Sequence, residues 1–369
     1  MNIFVNYPQH WLEKYQTTDT QYLASLQLLR NFIPVDTQCN KDLLSPFLLP
    51  FLARLKLTRF HSYLPAFLGR QTPVNNGSLK DCDLFLTHWF IPFFFGLSRR
   101  KARTIISFHF CSDTYLSSLQ PNFPHEHITR QYLDSILTHF VKYDALVMFT
   151  AKSCERFQAK FPQFATKAHH IPFFLPSIKS VSDELVKNKM EDLQQINLLF
   201  VGRDGKRKGI FQLLDAISNL ELRLRKQINL TVVTQTTIQP ELMPDVGNFR
   251  LNTQASHSEV LDLMRETHLF CLPTLSDSYG IVFVEAMSKG CAILADDDEP
   301  RQEVVAENGA GICVNPNDAS GLQNALQYFL ENEQFLYQCG MNSVKAFREK
   351  YSPEVVSQMY LKLFNQLVN

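Results

Sequence analysis

The clearest structural signal in the chain is the stretch Leu198-Leu199-Phe200-Val201-Gly202-Arg203-Asp204-Gly205-Lys206-Arg207-Lys208-Gly209. Its apolar start is typical of a buried strand, and an amphipathic segment of helical length, 209–220, follows the glycine-containing loop. Four of the six loop residues 203–208 are cationic. Because free N–H groups at a helix N-terminus attract anions, the stretch predicts a site for a phosphate or diphosphate. A solvated basic turn is the alternative.

Short apolar runs alternate with helical patterns along most of the chain. The predicted strands are Asp83–Thr87, Thr104–Phe108, Ala145–Phe149, Ile196–Val201, Leu230–Thr234, His268–Leu272 and Cys291–Ala295. The helices predicted between the later strands are Gly209–Leu220, Ser256–Arg265 and Ile281–Lys289. This alternation predicts an α/β fold with parallel sheets, which bind ligands beyond the carboxyl ends of their strands.

The length of the chain indicates two domains, since 369 residues exceed the usual size of one. We predict one domain over 1–180 and a second over 190–351, with the polar stretch 177–195 as the linker between them. A final helix is expected over 352–369, because Ser352 is a favourable N-cap and Pro353 a favourable first residue.

The formal net charge is zero, with 36 Lys+Arg and 36 Asp+Glu, but the charges are unevenly spread. Residues 1–180 contain 19 basic and 11 acidic side chains, whereas the remainder contains 17 and 25. Proteins that bind nucleic acid usually carry a basic excess, so the neutral total argues against a nucleic-acid partner. The sequence predicts a basic domain joined to an acidic one.

A second candidate site follows the predicted strand 268–272, in the sequence Pro273-Thr274-Leu275-Ser276-Asp277-Ser278-Tyr279-Gly280-Ile281-Val282-Phe283-Val284-Glu285-Ala286-Met287. Gly280 permits close approach of the backbone to a ligand, and the helix that begins there offers N–H groups to an anion. Glu285 can accept hydrogen bonds from a ribose diol, and Asp277 can accept them from a second sugar. Acids are also common near helix starts, so two surface carboxylates are the alternative.

Together the two segments resemble the donor-binding half of GT-B glycosyltransferases of the retaining family 4 type (glycosyl transferases group 1). The shared motif residues are Gly202, Arg203, Lys208 and Gly209 after a strand, then Asp277 and Glu285 in an acid-x7-acid motif ending Glu-Ala-Met. The resemblance covers about residues 196–350. It implies two Rossmann-like domains facing each other across a cleft, the first for the acceptor and the second for a nucleotide-sugar. The C-terminal helix is expected to cross back to the first.

The resemblance also implies a role for each matching residue. Arg203 and Lys208 would neutralise the donor diphosphate and the charge on the leaving nucleoside diphosphate. Glu285 would bind the ribose hydroxyls, and Asp277 hydroxyls of the transferred sugar. The donor-binding set is then Gly202, Arg203, Lys208, Asp277, Gly280, Ile281, Val282 and Glu285.

The sequence departs from the family at three places. Asp277 stands where the family usually has Glu, and Val5–His10 stands where a glycine-rich loop normally follows the first strand. A glycine pair is replaced by Asp296-Asp297-Asp298-Glu299-Pro300. We expect this acidic run to be a solvated loop, with a divalent-metal site as the alternative. No prosthetic group and no metal requirement are expected.

In the first half, only two strand ends resemble the family, at His88 and His109. A histidine at the second position faces the cleft in these enzymes. The near-neutral pKa of histidine suits contact with the transferred sugar or the leaving phosphate. His109 therefore completes the predicted catalytic set with Asp277, Arg203 and Lys208. A structural histidine is the alternative at both positions.

Basic residues lie beside aromatic ones at 42–70 and 93–103, which predicts contact with an anionic membrane surface. Core packing with a basic rim is the alternative. The N-terminus lacks the pattern of a signal peptide, and no apolar run approaches the roughly 20 residues of a membrane span. The eight cysteines show neither metal-site nor disulfide-scaffold spacing. We therefore expect a cytoplasmic protein, peripheral on the cytoplasmic membrane face.

The leading hypothesis is a retaining glycosyltransferase. It would move a sugar from a nucleotide-diphosphate sugar, with a UDP-sugar favoured, to a glycan, lipid-linked or protein acceptor in cell-surface glycoconjugate synthesis. A nucleotide-sugar epimerase of the same fold is an alternative, although such enzymes lack the acid-x7-acid motif. The other alternative is a catalytically silent partner protein, which the change to Asp277 and the missing glycine loop support.

Overall fold

Two six-stranded parallel sheets organise the chain. The computed structural model describes residues 143–368, except 174, 176, 177, 192, 276 and 278, together with the backbone of four earlier strands. The first sheet contains β1 (Ile3–Pro8), β2 (Val35–Asn40), β3 (Leu84–His88), β4 (Arg103–Phe108), β5 (Ala145–Met148) and β6 (Ala168–His170). The second contains β7 (Ile196–Val201), β8 (Ile228–Val233), β9 (Asn248–Asn252), β10 (Leu269–Leu272), β11 (Ala292–Asp296) and β12 (Gly311–Val314).

Five of the ten α-helices in the described residues, α3 to α7, lie between strands of the second sheet. They are α1 (Ala151–Lys160), α2 (Asp183–Lys189), α3 (Ile210–Ser218), α4 (Leu222–Arg225), α5 (His257–Glu266), α6 (Ile281–Ser288), α7 (Glu299–Arg301), α8 (Ala319–Glu331), α9 (Glu333–Ala346) and α10 (Pro353–Val368). Short 3-10 turns occupy Pro162–Lys167 and Pro240–Leu242, and π-helical turns occupy Gln302–Ala306 and Phe347–Tyr351.

The strand order of the second sheet fixes where a ligand can bind. The order is β9-β8-β7-β10-β11-β12. The chain begins at β7 in the middle of the sheet, adds β8 and β9 on one side, and then adds β10, β11 and β12 on the other side of β7. The order reverses between β7 and β10, whose carboxyl ends are neighbours. Crevices at such a reversal are the usual ligand sites of open α/β sheets. The first sheet has the order β2-β1-β3-β4-β5-β6 and reverses between β1 and β3.

Burial follows the position of each strand in the second sheet. Every residue of β10 and β11 is buried, as expected for parallel strands covered on both faces. The edge strand β9 is exposed or half-buried throughout. Helix α6 is buried over its last six residues, Phe283–Ser288, and Glu285 is therefore a carboxylate inside an otherwise apolar layer.

The chain divides into two compact units, one of Met1–Ser177 with Val356–Asn369 and one of Ile178–Val355. The second unit begins at Ile178, so most of the polar stretch 177–195 predicted as the linker lies within that unit, where it contains helix α2. Ser182 caps this helix by accepting a hydrogen bond from the Leu185 N–H, and Val186 is fully buried. Its polar composition comes from its exposed face.

The strands predicted from the sequence agree with the structure to within about two residues at each end. The segment Val5–His10, which stands where the family has a glycine-rich loop, is strand as far as Pro8, since β1 runs Ile3–Pro8 and pairs with β2 along its whole length. A proline is compatible with the end of a strand, although not with its middle. His88 is the last residue of β3, and His109 lies outside the described residues.

The basic aromatic stretches 42–70 and 93–103, except Arg103 in β4, also lie outside the described residues, so membrane contact stays a prediction. In the part of the chain that the structure describes, no helix combines the length and the apolar character needed to cross a membrane.

Gly209 is a position where alanine should be strongly destabilising. Its φ is +80°, and an added Cβ would lie 1.9 Å from the carbonyl oxygen of Pro273. We expect Gly209→Ala to lower the free energy of unfolding by about 2–4 kcal/mol, from backbone strain plus overpacking. Denaturant unfolding measures the change. Gly309→Ala is the matched control: its φ is +63°, but the nearest atom to its Cβ is the side-chain Nδ2 of Asn342, which can move. Equal losses in the two variants would contradict the Pro273 contact.

Candidate functional site

The loops after β7 and β10 are joined where the strand order reverses. The Leu275 N–H donates to the Arg207 carbonyl at 2.9 Å, and the Thr274 hydroxyl donates to the same oxygen at 3.3 Å. Each loop ends at a glycine with positive φ, Gly209 before α3 and Gly280 before α6. Neither helix has a side-chain cap, although backbone carbonyls already accept from the Ile210 N–H of α3 (Gly205, 2.9 Å) and the Phe283 N–H of α6 (Gly280, 3.0 Å).

Lys208 and Asp277, one from each loop, form an ion pair between Nζ and Oδ2. Arg207 adds a weaker contact, with its Nη1 3.9 Å from Asp277 Oδ1. A Cβ on Gly202 would lie 2.8 Å from Cβ and Cγ of Lys208, so glycine leaves room for the lysine stem. The absence of a side chain at Gly202 thus allows the Lys208 side chain to lie against the backbone of the same loop.

The charges around Asp277 decide its ionisation. Burial alone would raise the pKa of Asp277, but Lys208, Arg301 and Arg207 together hold it below its usual range. The carboxylate is therefore ionised at neutral pH and can only accept hydrogen bonds. Burial lowers the pKa of Lys208, and its pairing with Asp277 opposes that change.

Arg301 is a residue of this site that the sequence did not reveal. Its side chain is completely buried, with Nε donating to Asp296 Oδ1 at 2.8 Å and Nη2 donating to Asp298 Oδ2 at 2.6 Å. Its Nη1 lies 3.4 Å from the Asp277 carbonyl oxygen and donates to it. Arg301 therefore ties the end of β11 to the loop that carries Asp277.

The solvated loop predicted for residues 296–300 is wrong at both ends, because Asp296 ends β11 and Glu299 and Pro300 belong to α7, where Pro300 is buried. Asp296 is 1% exposed because it ends the fully buried strand β11 and pairs with Arg301, whereas Asp297 and Asp298 are exposed. Burial raises the pKa of Asp296 to about 6, even though Arg301 opposes the change. Among the described residues, no group of three or more His, Cys, Asp or Glu side chains could hold a metal ion.

Glu285 lies on α6, and its carboxylate contacts an imidazole on α5, the helix that precedes α6 in the sequence. Its Oε1 is 2.8 Å from Nε2 of His257, the first residue of α5. Burial of a carboxylate is costly unless it is hydrogen-bonded, and His257 meets that need. The sequence did not point to His257.

The structure brings together some of the predicted site residues. Lys208 and Asp277 are in contact, and Gly202, Gly280, Ile281 and Val282 lie in the same two loops or at the start of α6. The Arg203 side chain is exposed, with no ion pair in the described part of the chain, and its carbonyl accepts from the Gln235 N–H at 3.2 Å.

Residues 181–346 match the family described as glycosyl transferases group 1. The phosphatidyl-myo-inositol mannosyltransferase of Mycolicibacterium smegmatis is 33% identical over 142 residues, which cover 37% of this chain and 36% of that protein. The chain thus matches well under two thirds of this relative.

Two solved structures extend the likeness to the whole chain. Sucrose-phosphate synthase from Thermosynechococcus elongatus has a TM-score of 0.67 at 15% identity, over 100% of this chain and 99% of that one. WaaG, a glycosyltransferase involved in lipopolysaccharide biosynthesis, has a TM-score of 0.61 at 16% identity, over 97% and 98%. At such identities the likeness concerns the fold alone, and it confirms the predicted α/β fold of GT-B type.

Proposed function

We propose that this chain, whose residues 181–346 match the glycosyl transferases group 1 family, transfers a sugar from a nucleoside-diphosphate sugar to a glycan or lipid-linked acceptor. The observation that carries the proposal is the Lys208–Asp277 pair, set between two uncapped helix N-termini where the strand order reverses. Cations and helix N-termini at such a point favour a diphosphate.

Lys208 would bind the donor diphosphate and stabilise the nucleoside diphosphate as it leaves. An ammonium group has three donors, so Nζ can keep Asp277 while it donates to a phosphate oxygen. Arg203, exposed at the start of the same loop, would supply forked donors to the second phosphate. Charge stabilisation of this kind acts where negative charge develops during transfer.

The two carboxylates would bind the sugars of the donor. Glu285 would accept hydrogen bonds from the ribose diol, and Asp277, kept ionised by its cationic neighbours, would accept them from hydroxyls of the transferred sugar. The family resemblance favours UDP as the nucleotide. Since Lys208 and Arg203 supply positive charge, we propose that transfer needs neither a metal ion nor a prosthetic group.

We further propose retention of configuration at the anomeric carbon. The incoming hydroxyl would attack from the face that the diphosphate leaves, and the leaving phosphate would accept its proton. No protein nucleophile is needed for this route. His109 stays the predicted contact to the transferred sugar or the leaving phosphate.

We propose that the acceptor of the sugar is lipid-linked. The transfer would take place on the cytoplasmic side of a membrane, in cell-surface glycoconjugate synthesis. One relative is named for phosphatidyl-myo-inositol, and the basic excess of residues 1–180 suits an anionic acceptor or membrane. Sedimentation with anionic liposomes at low salt tests the membrane contact. The family match over residues 181–346 favours transfer over epimerisation.

A thermal-shift screen of nucleotide-sugars tests the proposed donor site. We expect at least one to raise Tm, and Glu285→Ala to weaken its binding by about 10–100-fold, the value of a hydrogen bond to a charged group. Asp262→Ala, an exposed acid on α5, is the control and should leave binding unchanged. Failure of every nucleotide-sugar to bind, or equal binding by Glu285→Ala and wild type, would sink the proposal.

A further inference from the structure

The contact between His257 and Glu285 joins two segments that meet at the proposed nucleotide site. His257 follows the loop after β9, and Glu285 lies on α6 after β10. Their Nε2 and Oε1 atoms are 2.8 Å apart, and the histidine side chain is 33% exposed while that of the glutamate is 7% exposed. The imidazole therefore stands on the solvent side of the pair.

The pair can form a hydrogen bond between the imidazole and the carboxylate. In the tautomer with its proton on Nε2, His257 donates to Oε1 of Glu285. A carboxylate has about four acceptor positions, and the hydrogen bond to His257 uses one of them. The contact can thus orient the Glu285 carboxylate.

The backbone around His257 is fixed by a capping box. The Ser256 hydroxyl accepts from the Glu259 N–H at 3.3 Å, and the Glu259 carboxylate accepts from the Ser256 N–H at 2.7 Å. Because these two hydrogen bonds fix the backbone of the first turn, α5 determines where the His257 side chain starts.

We infer that His257 is a positioning residue that holds the Glu285 carboxylate towards the ribose diol, and that it thereby sets a preference for ribonucleotides over 2′-deoxyribonucleotides. The inference rests on the proposed function, in which Glu285 binds the ribose. A carboxylate held in one orientation makes both hydroxyl contacts, whereas one that rotates makes them only part of the time.

The test compares UDP with 2′-deoxy-UDP, and GDP with 2′-deoxy-GDP, by titration calorimetry. In the wild type we expect the better-bound diphosphate to be preferred over its deoxy form by about 10-fold or more. His257→Phe keeps a ring but lacks the donor, and should reduce this ratio to about 3 or less with little change for the deoxy form. His257→Gln, which keeps an N–H donor, should restore part of the ratio.

The ratio of the two affinities distinguishes a positioning role from a general loss of structure, because a general loss of structure weakens the binding of both ligands equally. An unchanged ratio in His257→Phe, or an equal loss for both ligands, overturns the inference. Glu285→Ala is the reference and should abolish the preference. If Glu285→Ala keeps the ribonucleotide preference, or if no diphosphate binds the wild type, both the proposed function and the inference fail. If Glu285→Ala loses the preference but His257→Phe keeps it, only the inference fails.

Discussion

Replacing Lys208 with methionine is expected to weaken nucleoside-diphosphate binding and to slow sugar transfer, with a loss in kcat/KM of about 10²–10³-fold. Methionine keeps the apolar stem that packs over Gly202 but removes the ammonium group. The loss follows from charge, since the leaving diphosphate would then face Asp277 without its paired cation. Steady-state release of nucleoside diphosphate measures kcat/KM, and calorimetry measures affinity.

The neighbouring Lys206 provides the control for this prediction. It belongs to the same basic loop but is exposed, and Lys206→Met should change kcat/KM by less than about threefold, because exposed charges are well screened. Equal losses in Lys206→Met and Lys208→Met would mean that the loop acts through its total charge. The assigned role of the Lys208–Asp277 pair would then be wrong.

Replacing Arg301 with methionine is expected to lower the free energy of unfolding by about 3–5 kcal/mol at pH 8, because a buried carboxylate loses its partner. Arg301 is fully buried and bonds Asp296, Asp298 and the Asp277 carbonyl. Denaturant unfolding measures the loss. Arg348→Met is the matched control: its guanidinium pairs with Asp183 at 2.6 Å, but both side chains are exposed, so the cost should stay below about 1 kcal/mol.

The loss in Arg301→Met should shrink as the pH falls. Burial raises the pKa of Asp296 to about 6 in the folded wild type, whereas its unfolded pKa is about 3.9. The free energy of unfolding therefore falls as the pH rises from about 3.9 to about 6, and Asp296 causes no further change above pH 6. Without Arg301 the folded pKa rises further, and stability continues to fall at higher pH. We therefore expect a smaller difference from wild type at pH 5 than at pH 8; a difference independent of pH would contradict this account of Asp296.

Much of the site could be predicted because it is local in sequence. The strand, loop and helix around Gly202–Gly209 and those around Pro273–Met287 each carry their own signals: apolar runs, glycines and amphipathic periods. The predicted parallel sheet then implied that both loops lie at carboxyl strand ends. The strand order that makes β7 and β10 neighbours is a property of the folded sheet, and no local signal in the sequence supplied it.

The residues that were missed act over long separations. His257 lies 28 positions before Glu285, and Arg301 lies 24 positions after Asp277, so no local period links either pair. The acidic run at Asp296 looked solvated because composition describes an average over the loop. Its first residue is instead the end of a fully buried strand, which only the sheet position of β11 determines.

The decisive measurement for the proposed sugar transfer is release of nucleoside diphosphate from a panel of UDP-, GDP- and ADP-sugars, without added metal and in the presence of EDTA. We predict that the wild type turns over at least one donor, that Lys208→Met and Glu285→Ala lose most of this activity, and that Lys206→Met keeps it. Failure of the folded wild type to release diphosphate from any donor, or full activity in Lys208→Met, would contradict the account.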